Sequence, residues 1–492
     1  MTLFRPREAF QGEAGYALLP FQFRRLADDS PVLLTNDAGE HLWLESDDFL
    51  AFAQRRLSPV HPSFWDLESR HFLARKGQPL PLEAMAVQLR SRKAFLFQGP
   101  ALHIFVVSLR CNHSCRYCQV SREADGPDAH QFDMSLADAS RAADLVLEAP
   151  APSVTVEFQG GEPLLAFAVI RHVVEHLEAR KAERGKQIKY VITSVLHHLD
   201  EDKLAFMAAH HIELSTSLDG PAEIHNRNRP LPSRDSHART LAGIAQAREV
   251  LGPHAVAALT TITKESLAVP EAIIDAYRNA GFHSIFLRPI SPYGFAARSK
   301  RTDYSVAEFM GFYRRALVHL IRVNLDGYPM DEAYAALLLR SILTPFGHGY
   351  VDLRSPAGAG FGAWVYNYDG RVYASDESRM LAAMGDETFC MGSVQDSYEA
   401  LLTSPAMQLI ASAAVAESIP GCSTCAYLPF CGSDPIDSYR RQGDVIGHRP
   451  SSDFCQRQTA MLDLLFGMLR RGNPDEMAVF QSWVRRQSLA AD

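Results

Sequence analysis

Eight cysteines in 492 residues are too few, and too unevenly spaced, for a disulfide scaffold. No run of basic residues is long enough to act as a nucleic-acid footprint. Lys plus Arg total 49 against 57 for Asp plus Glu, a formal net charge of −8, so no nucleic-acid partner is expected. No apolar stretch is long enough to span a bilayer. Met1 to Phe10 carries charges and a proline where a signal peptide needs an apolar core. Internal repeats and low-complexity tracts are also missing. These absences leave a cytoplasmic, globular protein as the expectation, and 47% hydrophobic residues over this length supports two or three domains.

What is present has a clear order. Val32-Leu33-Leu34-Thr35-Asn36 and Glu40-His41-Leu42-Trp43-Leu44 flank Asp37-Ala38-Gly39, which is a hairpin signal. Asp47 to Arg56 follows as a short helix, giving a small N-terminal α+β module. From residue 103, strands alternate with helices. The strands expected are His103–Ser108, Val154–Phe158, Lys189–Thr193, Glu213–Ser217, Ala255–Thr261 and Ser284–Arg288. Helices such as Leu136–Glu148, with Ser135 as N-cap, and Pro270–Ala280 lie between them. Six βα units suit a partial (β/α)6 parallel barrel with its functional groups at the C-terminal strand ends. A doubly wound sheet has the same local pattern. Beyond the helical stretch Ser305–Val323 come a Gly-rich passage, Ala357 to Gly362, and a second hairpin from Trp364 to Tyr373. Helices around Gln458–Arg471 and Glu476–Arg486 close the chain.

Cys111, Cys115 and Cys118 follow directly on the first of these strands. Three thiolates can hold three irons of a cubane cluster and leave the fourth iron open to a ligand. Zinc would need a fourth donor; His113 lies between the first two cysteines, but a loop this tight makes joint ligation awkward. After the second strand, Gly160-Gly161-Glu162-Pro163 offers backbone that can approach a ligand and a carboxylate that can accept hydrogen bonds from an ammonium group. An ordinary turn with a solvated glutamate is the plain alternative. Thr193 and Ser194 end the third strand and can bind a ribose, and Ser217 ends the fourth, with Arg229 twelve positions on as a grip for a carboxylate. Each has a bland alternative as a turn or surface residue. Their recurrence at successive strand ends makes the case.

With these residues assembled, the chain resembles the radical S-adenosylmethionine superfamily, whose C-x-x-x-C-x-aromatic-C motif is matched by Cys111, Cys115, Tyr117 and Cys118. The resemblance assigns Gly160, Gly161 and Glu162 to the methionine amino group of the cofactor. Ser217-Leu218-Asp219-Gly220-Pro221, with His225 and Arg229, resembles a segment of sulfatase-maturing enzymes and peptide maturases in which the serine and arginine contact the cofactor carboxylate. Downstream, the chain resembles the cysteine-rich SPASM domain that holds auxiliary clusters in such enzymes. Cys422, Cys425 and Cys431 match its C-x2-C-x5-C portion and Cys455 its final cysteine. A second auxiliary site is absent from the pattern, because Ser375 and Pro435 stand where the family has cysteines. Two 4Fe-4S clusters are therefore expected, one binding S-adenosylmethionine and one auxiliary. Cys390 is left over and reads as a small buried hydrophobe. Asp376 matches a proton-accepting aspartate of sulfatase maturases; a solvated loop carboxylate is its alternative.

Over most of its length the sequence is most similar to the radical maturases of the His-Xaa-Ser peptide system, through Leu19-Pro20-Phe21, Leu33 to Glu40, Phe286 to Phe295 and Ser375 to Leu381. The division this implies is a module over 1–95, the radical barrel over 96–330, a SPASM-like domain over 331–460 and a helical segment over 461–492. The implied activity is oxidation or crosslinking of a ribosomally made precursor peptide through a 5'-deoxyadenosyl radical. The implied partners are that peptide, a reductant such as flavodoxin or ferredoxin, and a second maturase of the same system. The module resembles elements that capture a leader peptide by strand addition, with a barrel cap as its alternative. Two other functions fit parts of the pattern: oxidation of Ser or Cys to formylglycine, against which the lost auxiliary site argues, and electron transfer, which needs no methionine-binding groups.

Overall fold

The computed structural model describes residues 15–28, 30–298, 304–347 and 349–489. The first ten residues, and 490–492 of the closing segment, lie outside the described residues. Seven parallel strands form the spine: β1 (Leu102–Ser108), β2 (Ser153–Gly160), β3 (Gln187–Thr193), β4 (Glu213–Ser217), β5 (Val256–Ile262), β6 (Leu287–Pro289) and β7 (Ala363–Tyr366). β8 (Arg371–Tyr373) and β9 (Cys390–Ser393) extend it antiparallel. The spatial order is β6-β5-β4-β3-β2-β1-β7-β8-β9. The first six strands thus follow one another in chain order. A doubly wound sheet would reverse direction in the middle, so the order is that of a barrel. β6 does not pair with β1, and the barrel stays open.

Because β7 pairs with β1, from Ala363 opposite Leu102 to Tyr366 opposite Phe105, the sheet runs without a break into the C-terminal cysteine-rich region. The second expected hairpin is thus also the barrel's lateral extension. One apolar core unites the barrel, its helices and the C-terminal helices through Trp483 and Val484. β1 is buried on both faces from His103 to Ser108, as a central parallel strand must be. Helix Leu136–Glu148 forms where its apolar spacing predicts, and the Ser135 hydroxyl accepts from the Asp138 amide at 3.0 Å to cap it.

The sixth expected strand, Ser284–Arg288, is divided at Phe286 into Ser284–Ile285 and β6. The cause is Glu332, whose buried carboxylate accepts from the Leu287 amide at 3.1 Å, the Ala335 amide at 2.6 Å and the Tyr313 hydroxyl at 2.5 Å. Ser284–Ile285 pairs instead with Asp331–Glu332.

The N-terminal module is a three-stranded antiparallel sheet of Gln22–Arg25, Val32–Thr35 and His41–Leu44, followed by a helix over Ser46–Ala53. It has its own core around Tyr16, Leu34, Phe52 and Phe64. Arg24 grips Asp463 of the helix Asp453–Arg471 with two hydrogen bonds, 2.7 and 2.8 Å, and the Thr35 hydroxyl donates to the Ala426 carbonyl at 2.7 Å. The module is thereby fixed to the segment carrying the later cysteines. Among the described residues, no helix is long and apolar enough to cross a membrane.

β2 ends against the backbone that leaves β1. A Cβ on Gly160 (φ +148°) would lie 2.0 Å from the Ser108 carbonyl oxygen, and one on Gly161 2.2 Å from that of Arg110. Gly160→Ala is expected to lower stability by about 3 kcal/mol, combining overpacking with backbone strain. An unchanged denaturant midpoint would contradict this close approach.

Candidate functional site

The cysteine loop is sutured at several points. Arg110–Cys111 pairs with Glu123–Ala124, closing the base of the loop. The Ser114 and Arg116 amides donate to the carbonyls of Pro230 and Asn228 at 3.5 and 3.2 Å, and the Phe295 amide donates to the Cys118 carbonyl at 2.8 Å. Buried Arg110 anchors the start of the loop through Nε and Nη2 to Asp133, both at 2.8 Å, and Nη1 to Asp125 at 3.0 Å. Nothing local in the sequence marked that pair, since its members lie on opposite sides of the loop.

Cys111, Cys115 and Cys118 line a cavity of about 1060 Å³, including its open mouth. Gly160, Gly161, Glu162, Thr193, Ser194, Ser217, Arg229 and Asp376 line the same cavity. The strand-end residues singled out in the sequence therefore converge in space. Burial and then the nearby Cys115 push the Cys111 thiol up to about 12, and burial pushes Cys115 up to about 11. Buried thiols of this kind ionise when positive metal is bound to them. His113 does not serve as a fourth donor: its Nδ1 meets Asn112 Oδ1 at 2.9 Å and its Nε2 meets Ser236 Oγ at 2.9 Å. Among the described residues no three His, Cys, Asp or Glu side chains converge as a single ion requires. Three thiols spread along one cavity wall fit a cluster, in which each sulfur binds a different iron, better than zinc.

Several site residues hold each other in place. The close approach at Gly160 and Gly161 is to the chain's own backbone: the Gly161 amide donates to Ser108 at 2.8 Å and the Glu162 amide to Arg110 at 2.7 Å. The buried Glu162 carboxylate accepts from the Ser194 hydroxyl at 2.7 Å and from the amides of Val195 and Leu164 at 2.9 and 3.0 Å. It thus ties the end of β2 to that of β3. Burial raises its pKa, and these three donors oppose the rise. Thr193 Oγ1 donates to Glu157 at 2.9 Å. Arg229 donates from Nε to Asp219 at 3.3 Å and lies 5.3 Å from the Tyr117 ring centroid, while the Tyr117 hydroxyl donates to Asp219 at 2.6 Å. Asp219 lies within the Ser217–Pro221 motif, but its bridging role depends on Tyr117 and Arg229 and no local pattern in the sequence signals it. Arg379 holds Asp376 at 3.0 Å and reaches the Val120 carbonyl of the cysteine loop at 3.3 Å.

Cys422, Cys425, Cys431 and Cys455 line a second cavity. The first three lie on one loop; Cys455 opens the helix Asp453–Arg471, where its amide donates to the capping Ser452 hydroxyl at 3.2 Å. Burial pushes Cys422 up to about 11 and raises Cys425 and Cys431. Four thiols around one space fit a fully ligated cluster. Cys390 lines neither cavity. It begins β9 and packs near Ile104, Val106 and Tyr373. Ser375 and Pro435 are helix-start residues: Ser375 caps Asp376–Ala382, and Pro435 opens Pro435–Gln442. Both line a third cavity beside the first.

An open parallel barrel with a three-thiol loop after its first strand defines the class of this fold and site. The Radical SAM superfamily model matches residues 105–283, so this stretch is a domain of that superfamily, whose cofactors are S-adenosylmethionine and a 4Fe-4S cluster. An uncharacterized protein of Methanocaldococcus jannaschii is 26% identical over 190 residues, covering 38% of this chain and 62% of that relative. An uncharacterized protein of Methanothermobacter thermautotrophicus is 27% identical over 198 residues, covering 39% and 69%. The match therefore spans less than two thirds of the first relative's length. Among solved structures, anSMEcpe with bound AdoMet superposes with TM-score 0.59 at 18% identity, over 75% of this chain and 98% of that one. Streptococcus suis SuiB bound to its precursor peptide SuiA superposes with TM-score 0.53 at 15% identity, over 89% and 98%. These are likenesses of fold.

Asp133→Ala removes the paired acceptor of buried Arg110 and should destabilise the protein by about 3 kcal/mol. Denaturant unfolding checks this, and a loss below about 0.5 kcal/mol, the level of an ordinary surface change, would show that the pair does not anchor the loop.

Proposed function

We propose that this chain is a radical S-adenosylmethionine enzyme that modifies a ribosomally made peptide, a His-Xaa-Ser repeat precursor, by oxidation or crosslinking. The observation that carries the reading is the single cavity lined jointly by the three-cysteine loop and the ends of successive barrel strands. In this reading Cys111, Cys115 and Cys118 hold a 4Fe-4S cluster. Gly160, Gly161 and Glu162 receive the methionine amino group of the cofactor, Thr193 and Ser194 its ribose, and Ser217 and Arg229 its carboxylate. When bound, the cluster and cofactor supply an electron and a radical able to take a hydrogen atom from the substrate. The chain's own part is positioning. Asp219 and Tyr117 fix the Arg229 guanidinium, Glu162 locks two strand ends together, and the partly enclosed cavity limits access of water. In this reading Asp376, held by Arg379 on the cavity wall, accepts a substrate proton.

Cys422, Cys425, Cys431 and Cys455 form the one auxiliary cluster in this proposal. It would take an electron from the substrate or ligate it. The division into a module over 1–95, a barrel over 96–330, a SPASM-like domain over 331–460 and a helical segment over 461–492 belongs to the same reading. SuiB, solved with its precursor peptide, supports a peptide as substrate. Gln22–Arg25 is one of the two edge strands of the N-terminal sheet, which suits capture of a leader peptide by strand addition. Flavodoxin or ferredoxin as reductant and a second maturase complete the proposed partners. All eight cysteines are unpaired, which suits a reducing cytoplasm.

Anaerobic incubation of reconstituted protein with dithionite and S-adenosylmethionine should release 5'-deoxyadenosine. A null result with clusters confirmed contradicts the radical reading. Iron analysis should give about eight irons per chain, from two cubane clusters, whereas about twelve would require a second auxiliary site. Cys390→Ala should leave that content unchanged; a loss of iron would make Cys390 a ligand.

A further inference from the structure

The third cavity encloses about 1150 Å³, including its mouth, and shares Arg288, Pro289 and Ser291 with the cofactor cavity as a common wall. Ser375 and Pro435, the positions where the family pattern has cysteines, both lie on it. Its lining sets four carboxylates, Asp352, Glu377 and Asp434 among them, against three guanidinium groups. Asp437 is there too, but is already paired with Arg441 at 2.8 Å, and Arg441 also pairs with Asp453. Arg457 lies 5.9 Å from the Phe454 ring centroid. Arg288 and Arg457 are the remaining cations. Burial disfavours the charge of Arg288, but Tyr350, Glu377, Asp352 and Asp376 outweigh that effect and hold its pKa up.

Two further features show what the space accepts. Tyr293 is only 1% exposed, lines the cavity, and has a hydroxyl with no hydrogen-bond partner. Burial raises its pKa first, and Asp434 and Glu377 follow as causes, which sets the tyrosine among the carboxylates. On another side is an aromatic wall: Phe286 and Tyr334 stack at 5.9 Å, and Tyr350 meets Tyr334 edge-on at 6.1 Å. The carboxylates do not converge on a point as a metal ion requires, among the described residues. Spread carboxylates, an unpartnered hydroxyl and aromatic faces together match a larger organic cation.

We propose that this cavity binds a cationic side chain of the peptide substrate and so sets the neighbouring residue against the cofactor cavity. The proposal rests on the peptide-modifying reading above and names the substrate chemistry that this site selects. Burial and then repulsion by Asp352 and Asp376 raise the pKa of Glu377, and burial and then repulsion by Asp437 raise that of Asp434. A bound guanidinium or ammonium would relieve that repulsion.

The test is calorimetric titration of the reconstituted protein with two matched pairs of peptides. Acetyl-Gly-Gly-Arg-Gly-Gly-amide is compared with its citrulline counterpart, and the lysine peptide with its acetyl-lysine counterpart. Each cationic peptide should bind at least about tenfold more tightly than its neutral partner. Combined Glu377→Gln and Asp434→Asn substitution should abolish the preference, and Tyr293→Phe, which removes only a hydroxyl, should reduce it. Equal affinity within each pair, no binding of any of the four, or a preference that survives the double substitution would overturn the proposal. Binding needs no turnover. Protein that binds the arginine peptide but releases no 5'-deoxyadenosine contradicts the radical reading alone, and the reverse pattern contradicts the cation pocket alone.

Discussion

The mouth of the barrel depends on one buried carboxylate. Asp219, fully shielded from solvent, accepts from the Tyr117 hydroxyl in the cysteine loop, from Arg229 after the next helix, and from the Thr261 amide on β5 at 3.4 Å. Its own amide donates to His225 at 3.3 Å. Three separate stretches of chain, around Tyr117, Arg229 and Thr261, thus meet at one side chain. A buried negative charge is costly unless paired and hydrogen-bonded, so removing any of these partners would leave it exposed to that cost. The arrangement fixes Arg229 and the cysteine loop relative to each other before any cofactor arrives, which is the pre-organisation such a site requires.

The opposite side of the mouth relies on backbone proximity. Gly160 and Gly161 let β2 close against the chain leaving β1, and Glu162 then reaches across to Ser194 and Val195. The cysteine loop is held between these two clamps. The second cysteine group has a different support: a loop joined to the first turn of a long helix, with Arg24 of the N-terminal module gripping Asp463 on that helix. The module therefore contributes directly to the frame around the later cysteines.

Much of this was legible in the sequence because local patterns carried it. Apolar runs with turn signals gave the six barrel strands to within a few residues, and Ser135 marked the start of its helix. Cysteine spacing separated the two thiol groups. Long-range contacts carried the rest. The break at Phe286 arises from Glu332, forty-six positions away, and the pairing of β7 with β1 joins residues more than 250 apart. The ion pair of Arg110 with Asp133 and the bridging by Asp219 likewise appear only once the strands are side by side. Ser375 and Pro435 stood out in the sequence only as positions where the resembled family has cysteines, and the cavity that both line was not legible, because its walls come from distant segments.

In the proposed function two sites divide the labour, one open to S-adenosylmethionine and one closed by four thiolates. Electron paramagnetic resonance of the reduced, reconstituted protein tests this division directly. Adding S-adenosylmethionine should change the signal of the cluster held by Cys111, Cys115 and Cys118 and leave the other unchanged. A variant with Cys422, Cys425, Cys431 and Cys455 replaced by alanine should keep the responsive signal alone. A cofactor response from the four-cysteine site, or none from the three-cysteine site, would contradict the account.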